Sequence, residues 1–317
     1  MRSWRSCRWL GHFLCVVVAA LAVAGPAGAA DSFLTPLGAV AEAQRAHLIR
    51  VVAITMIAIV PVLVGVPLIL WRYRRGRGRG AYRPGWDKST PLEIVMWGVP
   101  AAIIGVLGFW LWHSTVRLDP YDALGPEPLE VQVIGLDWKW LILYPEHGIA
   151  TVGEMAVPVG RPVSIRLTTD TVMQSFFISA LAGQIYAMPG MATKLNLVAD
   201  RPGTTEGENT QYNGEGFAGQ KFTFRALPAA DWQDWVAEVR GSSLALDEQT
   251  YARLARRSTL GEARLDLAPD QTDGPLRFGS AGPDLFERVL NRYHQGKPVP
   301  PELQPGAPGF MAEGSDG

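Results

Sequence analysis

Two apolar runs, each long enough to cross a bilayer, constrain this chain more than any other feature. The first extends from about His47 to Trp71, with a dense core from Val51 to Leu70, and the second from about Leu92 to Trp112. A membrane core of about 30 Å is crossed by about 20 helical residues, and both runs meet that length. Pro61, Pro67 and Pro100 would break a soluble helix but are tolerated in a membrane helix, where neighbours satisfy the freed backbone groups. Trp71, Tyr73, Trp97, Trp110 and Trp112 sit near the ends of the runs, as interface aromatics do. Arg50 stands close enough to the start of the first run to snorkel outward.

What surrounds the runs sets their orientation. The link between them carries Arg72, Arg74, Arg75, Arg77, Arg79, Arg83 and Lys88, which the positive-inside rule places in the cytoplasm. Ahead of them, Arg2, Arg5 and Arg8 precede a short apolar run from Phe13 to Ala24 and the small residues Ala27-Gly28-Ala29-Ala30, the pattern of a cleaved secretory signal. The expected organisation is a signal peptide over 1–30 and an exported N-terminal segment over 31–46. Membrane helices over 47–71 and 92–113 flank a basic cytoplasmic loop at 72–91, and everything after residue 113 is exported.

The exported part changes texture. Leu129, Val131 and Val133 alternate with Glu130 and Gln132, and Val163, Ile165 and Leu167 with Ser164, Arg166 and Thr168. Leu195 and Leu197, then Phe222 and Phe224, repeat the period, which marks strands with one buried face and one wet face. Gly160, Pro162, Pro189-Gly190 and Pro202-Gly203 punctuate them as turns, so an antiparallel sandwich or barrel is expected over 114–228. After Pro228 the pattern becomes helical: Trp232, Trp235, Val236 and Val239 form an amphipathic stripe, with further stripes near Tyr251, Leu254 and Ala255 and near Leu285, Val289 and Leu290. A C-terminal helical extension is expected over 229–295 and a disordered Pro/Gly-rich tail over 296–317.

Composition narrows the chemistry. A formal net charge of −1 over 317 residues does not suit a nucleic-acid binder, so no nucleic-acid partner is expected. The only cysteines are Cys7 and Cys15, which excludes thiolate metal sites, a catalytic thiol and a disulfide scaffold from the body of the chain. The exported part has only His113, His147 and His294, far apart in sequence.

Three stretches carry a resemblance. These are Val133-Ile134-Gly135-Leu136-Asp137-Trp138-Lys139-Trp140 followed by Tyr144-Pro145-Glu146-His147-Gly148, then Met173-Gln174-Ser175-Phe176-Phe177-Ile178 with Gln184-Ile185-Tyr186-Ala187-Met188-Pro189-Gly190-Met191, and finally Tyr212 to Phe222. Over about residues 35 to 295 the chain resembles subunit II of the haem–copper terminal oxidases, most closely the quinol-oxidising, cytochrome bo-type branch. The resemblance implies a two-helix transmembrane hairpin followed by an all-β cupredoxin-like sandwich with C-terminal helices.

In the cytochrome-c-oxidising branch this subunit holds a binuclear copper centre, built on two bridging thiolates, two imidazoles, a Met thioether and a carbonyl. Soft thiolates are indispensable to such a pair. Gln174 stands where one ligand His is expected, and the loop from Asn213 to Phe224 contains no Cys, His or Met. The resemblance therefore implies a chain with no cofactor of its own. Its partners would be oxidase subunit I, which carries the haems and copper, further small membrane subunits, and membrane quinol as the substrate of the complex. The complex would reduce oxygen to water and translocate protons, with this chain as a structural subunit in the bacterial inner membrane and its C-terminal domain on the periplasmic face. The resemblance also marks Glu93 as the mouth of a proton-uptake channel, although a carboxylate there equally complements a helix N-terminus. Trp138 and Trp140, at i and i+2 on one strand face, are expected as core or subunit contacts. A stand-alone, membrane-tethered, metal-free cupredoxin acting as a binding or assembly module is the alternative the residues leave open.

Overall fold

The computed structural model describes residues 33–74 and 84–293. The expected signal peptide, Arg75, Arg77, Arg79, Arg83, His294 and the expected tail lie outside the described residues. Helix α1 spans Ala39–Arg72 and α2 spans Thr90–Arg117. Both are long and apolar enough to cross a membrane, and the most apolar stretch of each is left unburied by the rest of the chain. Pro61 and Pro67 lie inside α1 and Pro100 inside α2.

The first helix starts at Ala39, well before the apolar run at His47. Hydropathy marks the stretch apolar enough to span a membrane, whereas the helix start is set by what its first turns pack on. Leu37 and Ala41 are buried. The Leu37 N–H donates to the Ala180 carbonyl at 2.7 Å, and its own carbonyl accepts from Asp200 N at 2.8 Å. The two helices meet near the domain through His47 Nδ1 and Ser114 Oγ, 3.2 Å apart. Trp110 packs edge-on against His47 and under the Arg50 guanidinium, 5.0 Å from its ring centroid.

The domain contains β1 (Leu129–Leu136), β2 (Lys139–Tyr144), β3 (Ile149–Val152), β4 (Glu154–Pro158), β5 (Val163–Thr169), β6 (Gln174–Ile178), β7 (Ala182–Ala187), β8 (Thr193–Leu197), β9 (Gly203–Asn209) and β10 (Lys221–Leu227). The C-terminal part adds α3 (Ala229–Arg240), β11 (Ala245–Leu246), α4 (Glu248–Leu254), α5 (Leu260–Leu267), β12 (Leu276–Phe278), β13 (Ser280–Ala281) and α6 (Leu285–Arg292). One sheet runs β12-β3-β2-β1-β5-β8 and the other β4-β10-β9-β6-β7, forming the cupredoxin-like sandwich.

The sandwich is mixed rather than purely antiparallel, because β1 pairs β5 and β10 pairs β4 in parallel. The chain leaves the first sheet for β4 and returns as β5, and such a crossover lets a strand lie alongside an earlier one in the same direction. The extension is also not purely helical: β12 joins the edge of the first sheet through β3. Three residues are too few to show a period in sequence.

The period-two pattern divides the first sheet between two cores. Val131, Val133, Trp140, Ile142 and Tyr144 face the second sheet. Ile134, Leu136, Leu141 and Leu143 point the other way, into a core completed by Leu246, Tyr251, Leu254, Phe278, Phe286 and Val289 of the extension. The face expected to be wet is therefore covered from Ile134 onward. Burial of an aliphatic or aromatic side chain contributes about 1.5–3 kcal/mol, so the extension is part of the domain's stability.

Candidate functional site

The β1–β2, β5–β6, β7–β8 and β9–β10 connections gather at one end of the sandwich. Beneath them lies a cluster of buried amides. Gln174 opens β6 and Gln220 precedes β10, and both are wholly enclosed. Gln220 Nε2 donates to Gln174 Oε1 at 2.6 Å and to the Leu136 carbonyl at 3.2 Å. Gln174 Nε2 donates to the same carbonyl at 3.2 Å and to Thr171 Oγ1 at 3.1 Å. Gln220 Oε1 accepts from Asn209 Nδ2 at 3.0 Å and Asn213 Nδ2 at 2.8 Å. Asn209 Oδ1 in turn accepts from the backbone of Ser175 and Gln211, both at 2.9 Å. A neutral, internally paired network of this kind is stable without any counter-charge. Gly135 completes the cluster: a Cβ there would stand 2.5 Å from Gln174 Oε1.

The residues present do not fit a copper pair. The amides of Gln174 and Gln220 are spent on each other and on their neighbours, and Asn213 Oδ1 is the only atom of the cluster buried without a partner. One hard amide oxygen cannot replace bridging thiolates. Among the described residues, no group of three or more His, Cys, Asp or Glu converges.

Trp138 and Trp140 do not share a face. Trp138 lies in the two-residue β1–β2 turn with a left-handed backbone, φ 71°. That conformation is costly for a bulky residue, on the order of 1–3 kcal/mol, and persists only where surrounding contacts fix it. Its indole N–H donates to the Asn213 carbonyl at 3.3 Å. Arg257 lies over the ring, 4.8 Å from its centroid. Gly216 lets the loop press on the ring, since a Cβ there would meet Trp138 Cδ2 at 2.2 Å. Trp140 points into the inter-sheet core, edge-on to Phe176 at 5.2 Å, and has no exposed surface. Its ring is taken up by packing within the chain, the core placement that was one of the two expectations for it.

Two charged groups tie the same end to the extension. Lys139 is buried, and its Nζ lies 2.8–2.9 Å from the carbonyls of Asp137, Arg256 and Ser258 and from Ser258 Oγ. Burial pulls its pKa down to about 7, with Asp137 and Glu262 opposing the fall. Asp170 is wholly buried and accepts from Arg292 at 2.5 and 2.6 Å, from Tyr251 Oη at 2.6 Å and from Tyr293 Oη at 3.0 Å. Burial pushes its carboxyl up, while Arg292 and the tyrosine hydroxyls pull it back.

Glu93 lies in the first turn of α2, exposed, at the helix end remote from the domain. His147 sits half-buried in the β2–β3 turn, edge-on to Trp232 at 5.6 Å, and burial lowers its pKa. The structure therefore separates Glu93, Gln174 and His147 rather than gathering them. The residues that do gather with Gln174 were in plain view as a polar Asn and Gln set around Gly-rich turns. Their signal was the concentration of amides where the resemblance implies metal ligands.

No family model matches the chain. It is 40% identical over 268 residues to the cytochrome bo(3) ubiquinol oxidase subunit 2 of Pseudomonas aeruginosa, covering 84% of this chain and 77% of that protein. The chain belongs to the quinol oxidase subunit 2 family. The ubiquinol oxidase subunit 2 of Acetobacter aceti is 38% identical over 85% of both chains, and the quinol oxidase subunit 2 of Bacillus subtilis is 34% identical over 70% of this chain and 71% of its own. Among solved structures, the periplasmic domain of subunit II of cytochrome oxidase of Bradyrhizobium japonicum covers 38% of this chain and 95% of its own length, at 21% identity and a TM-score of 0.35. As a quinol oxidase subunit 2, the chain is part of an oxidoreductase complex of the respiratory chain. Gln174, which the resemblance sets against a ligand His, sits within its amide cluster.

Proposed function

We propose that this chain is the copper-free subunit II that caps the outer face of oxidase subunit I, while ubiquinol delivers electrons to the haems and copper of that larger subunit. The observation that carries the reading is the closed amide cluster centred on the 2.6 Å Gln220–Gln174 hydrogen bond. A domain whose relay position is filled by paired amides has nothing through which to pass an electron. Its contribution is then to shape and hold the complex.

The loop end above the amides is the surface offered to subunit I. Val172, Met173, Met191 and Tyr212 are exposed there, with Tyr212 at 71%. A group of exposed apolar side chains of this kind suits the centre of a lasting interface. Further small membrane subunits would pack on the bare faces of α1 and α2. In this reading the helices cross the bacterial inner membrane, residues 72–91 face the cytoplasm and the sandwich faces the periplasm. Glu93 then lies at the cytoplasmic surface, at the mouth of a proton-uptake path into subunit I.

Two experiments test the reading. Membranes lacking this chain should lose assembled, haem-containing oxidase, and full assembly and turnover without it would contradict the structural role. Glu93→Ala in the intact complex should slow oxygen uptake and proton uptake together, whereas unchanged values for both would remove Glu93 from the proton path.

A further inference from the structure

Where the hairpin meets the sandwich, two adjoining cavities have no assigned occupant. The larger, about 640 Å³, lies between Gln44 and His47 of α1 and Leu111, Ser114 and Thr115 of α2, and Asp119 to Tyr121 roof it. The smaller, about 170 Å³, runs inward beneath the sandwich and is lined by Arg117, Asp119, Asp122, Gln184 and Asn196. The two share Gln44, Leu118, Asp119 and Pro120.

The position of this groove relative to the apolar runs is informative. The dense apolar core of α1 begins at Val51, and the apolar run of α2 ends at Trp112. The larger cavity thus straddles the membrane boundary, with Leu111 on the hydrocarbon side and Gln44, Thr115 and Asp119 on the polar side. Trp110 and Trp112 stand at the same level, as boundary aromatics do. An occupant must therefore be amphiphilic. Its polar part meets both signs of charge, because Arg117 and the carboxylates of Asp119 and Asp122 line the inner recess.

We infer that this groove is a binding site for a phospholipid with a zwitterionic phosphoethanolamine headgroup. The acyl chains follow Leu111 down the α1–α2 surface. The phosphate lies toward Arg117 and the ammonium toward Asp119 and Asp122. A bound lipid would fill the gap between membrane anchor and sandwich and so fix the tilt of one on the other. This site rests on the reading of the hairpin as membrane-spanning.

The test uses the intact oxidase complex purified through a tag on this chain. After delipidation in detergent, it is titrated with phosphatidylethanolamine or with phosphatidylglycerol, and retained lipid is quantified by mass spectrometry. The wild type is expected to retain phosphatidylethanolamine one-to-one with this chain, in preference to phosphatidylglycerol. Thr115→Trp fills the groove from an exposed helix position and should lose that lipid, while the complex keeps its haem content. Asp119→Asn should weaken phosphatidylethanolamine retention and narrow the preference between the lipids. Equal retention of both lipids by wild type and Thr115→Trp would overturn the site, as would a structure of the complex with a partner subunit's side chains in the groove. Release of the chain from membranes by alkaline carbonate would instead contradict the spanning hairpin itself, so the two failures are distinguishable.

Discussion

Gln174 and Asp170 are four positions apart and both fully buried, yet they solve the burial problem in opposite ways. Gln174 joins a neutral network whose members come from the sandwich alone. Asp170 carries charge into the interior and draws its partners, Tyr251, Arg292 and Tyr293, from the C-terminal extension. The comparison teaches where each device is useful. Neutral amides paired with one another can be enclosed at little electrostatic cost. A buried charge is costly unless matched, and the extension supplies the groups that match Asp170.

The contrast can be broken most sharply at Arg292. Arg292→Ala leaves Asp170 enclosed with its counter-charge removed, and a loss of about 3–5 kcal/mol is expected. Chemical denaturation of the full chain in detergent would read it, and a change below about 1 kcal/mol would show that the ion pair is not what fastens α6.

The next effect is a pH slope from Lys139. Its folded-state pKa is about 7 against an ordinary 10.5. Below that range both states hold the proton. Between those values the unfolded chain binds a proton that the folded chain has released, so stability rises with pH. Wild type should therefore gain stability relative to Lys139→Met as pH is raised from 7 to 9, and parallel profiles would refute the assignment.

Within the neutral network the effects should be smaller. Gln220→Leu strands the Gln174 carbonyl and the Asn209 and Asn213 amides, with an expected loss of about 1–3 kcal/mol and no dependence on pH between 5 and 8. A pH-dependent loss in that range would mean that the cluster is coupled to charge. Smallest of all, Tyr293→Phe removes one of several donors to Asp170 and should cost about 1 kcal/mol in the same assay.

The two long apolar helices and the sandwich were legible because hydropathy and period two are dominated by solvent, and solvent is uniform along the chain. Leu129, Val131 and Val133 announce a strand whatever its neighbours. The parallel pairing of β1 with β5 depends on where the chain crosses between sheets, which no local pattern encodes. The period-two pattern does not reveal the left-handed turn at Trp138, because that conformation runs against the propensity of a bulky residue; Arg257 and the glycines at 214 and 216 pack against its ring. Gln174 could be singled out from its sequence context, since chemistry constrains what copper accepts. Its pairing with Gln220 could not be, because that requires knowing which loops converge. Asp170 and Arg292 are more than a hundred positions apart in sequence, and only the second core brings them together.

This chain belongs to an oxidase fed by quinol. Oxygen uptake by the complex purified through a tag on this chain tests this most directly. Sustained turnover with ubiquinol and none with reduced cytochrome c as sole donor is the expected result; brisk turnover with cytochrome c alone would show an oxidase fed by cytochrome c instead.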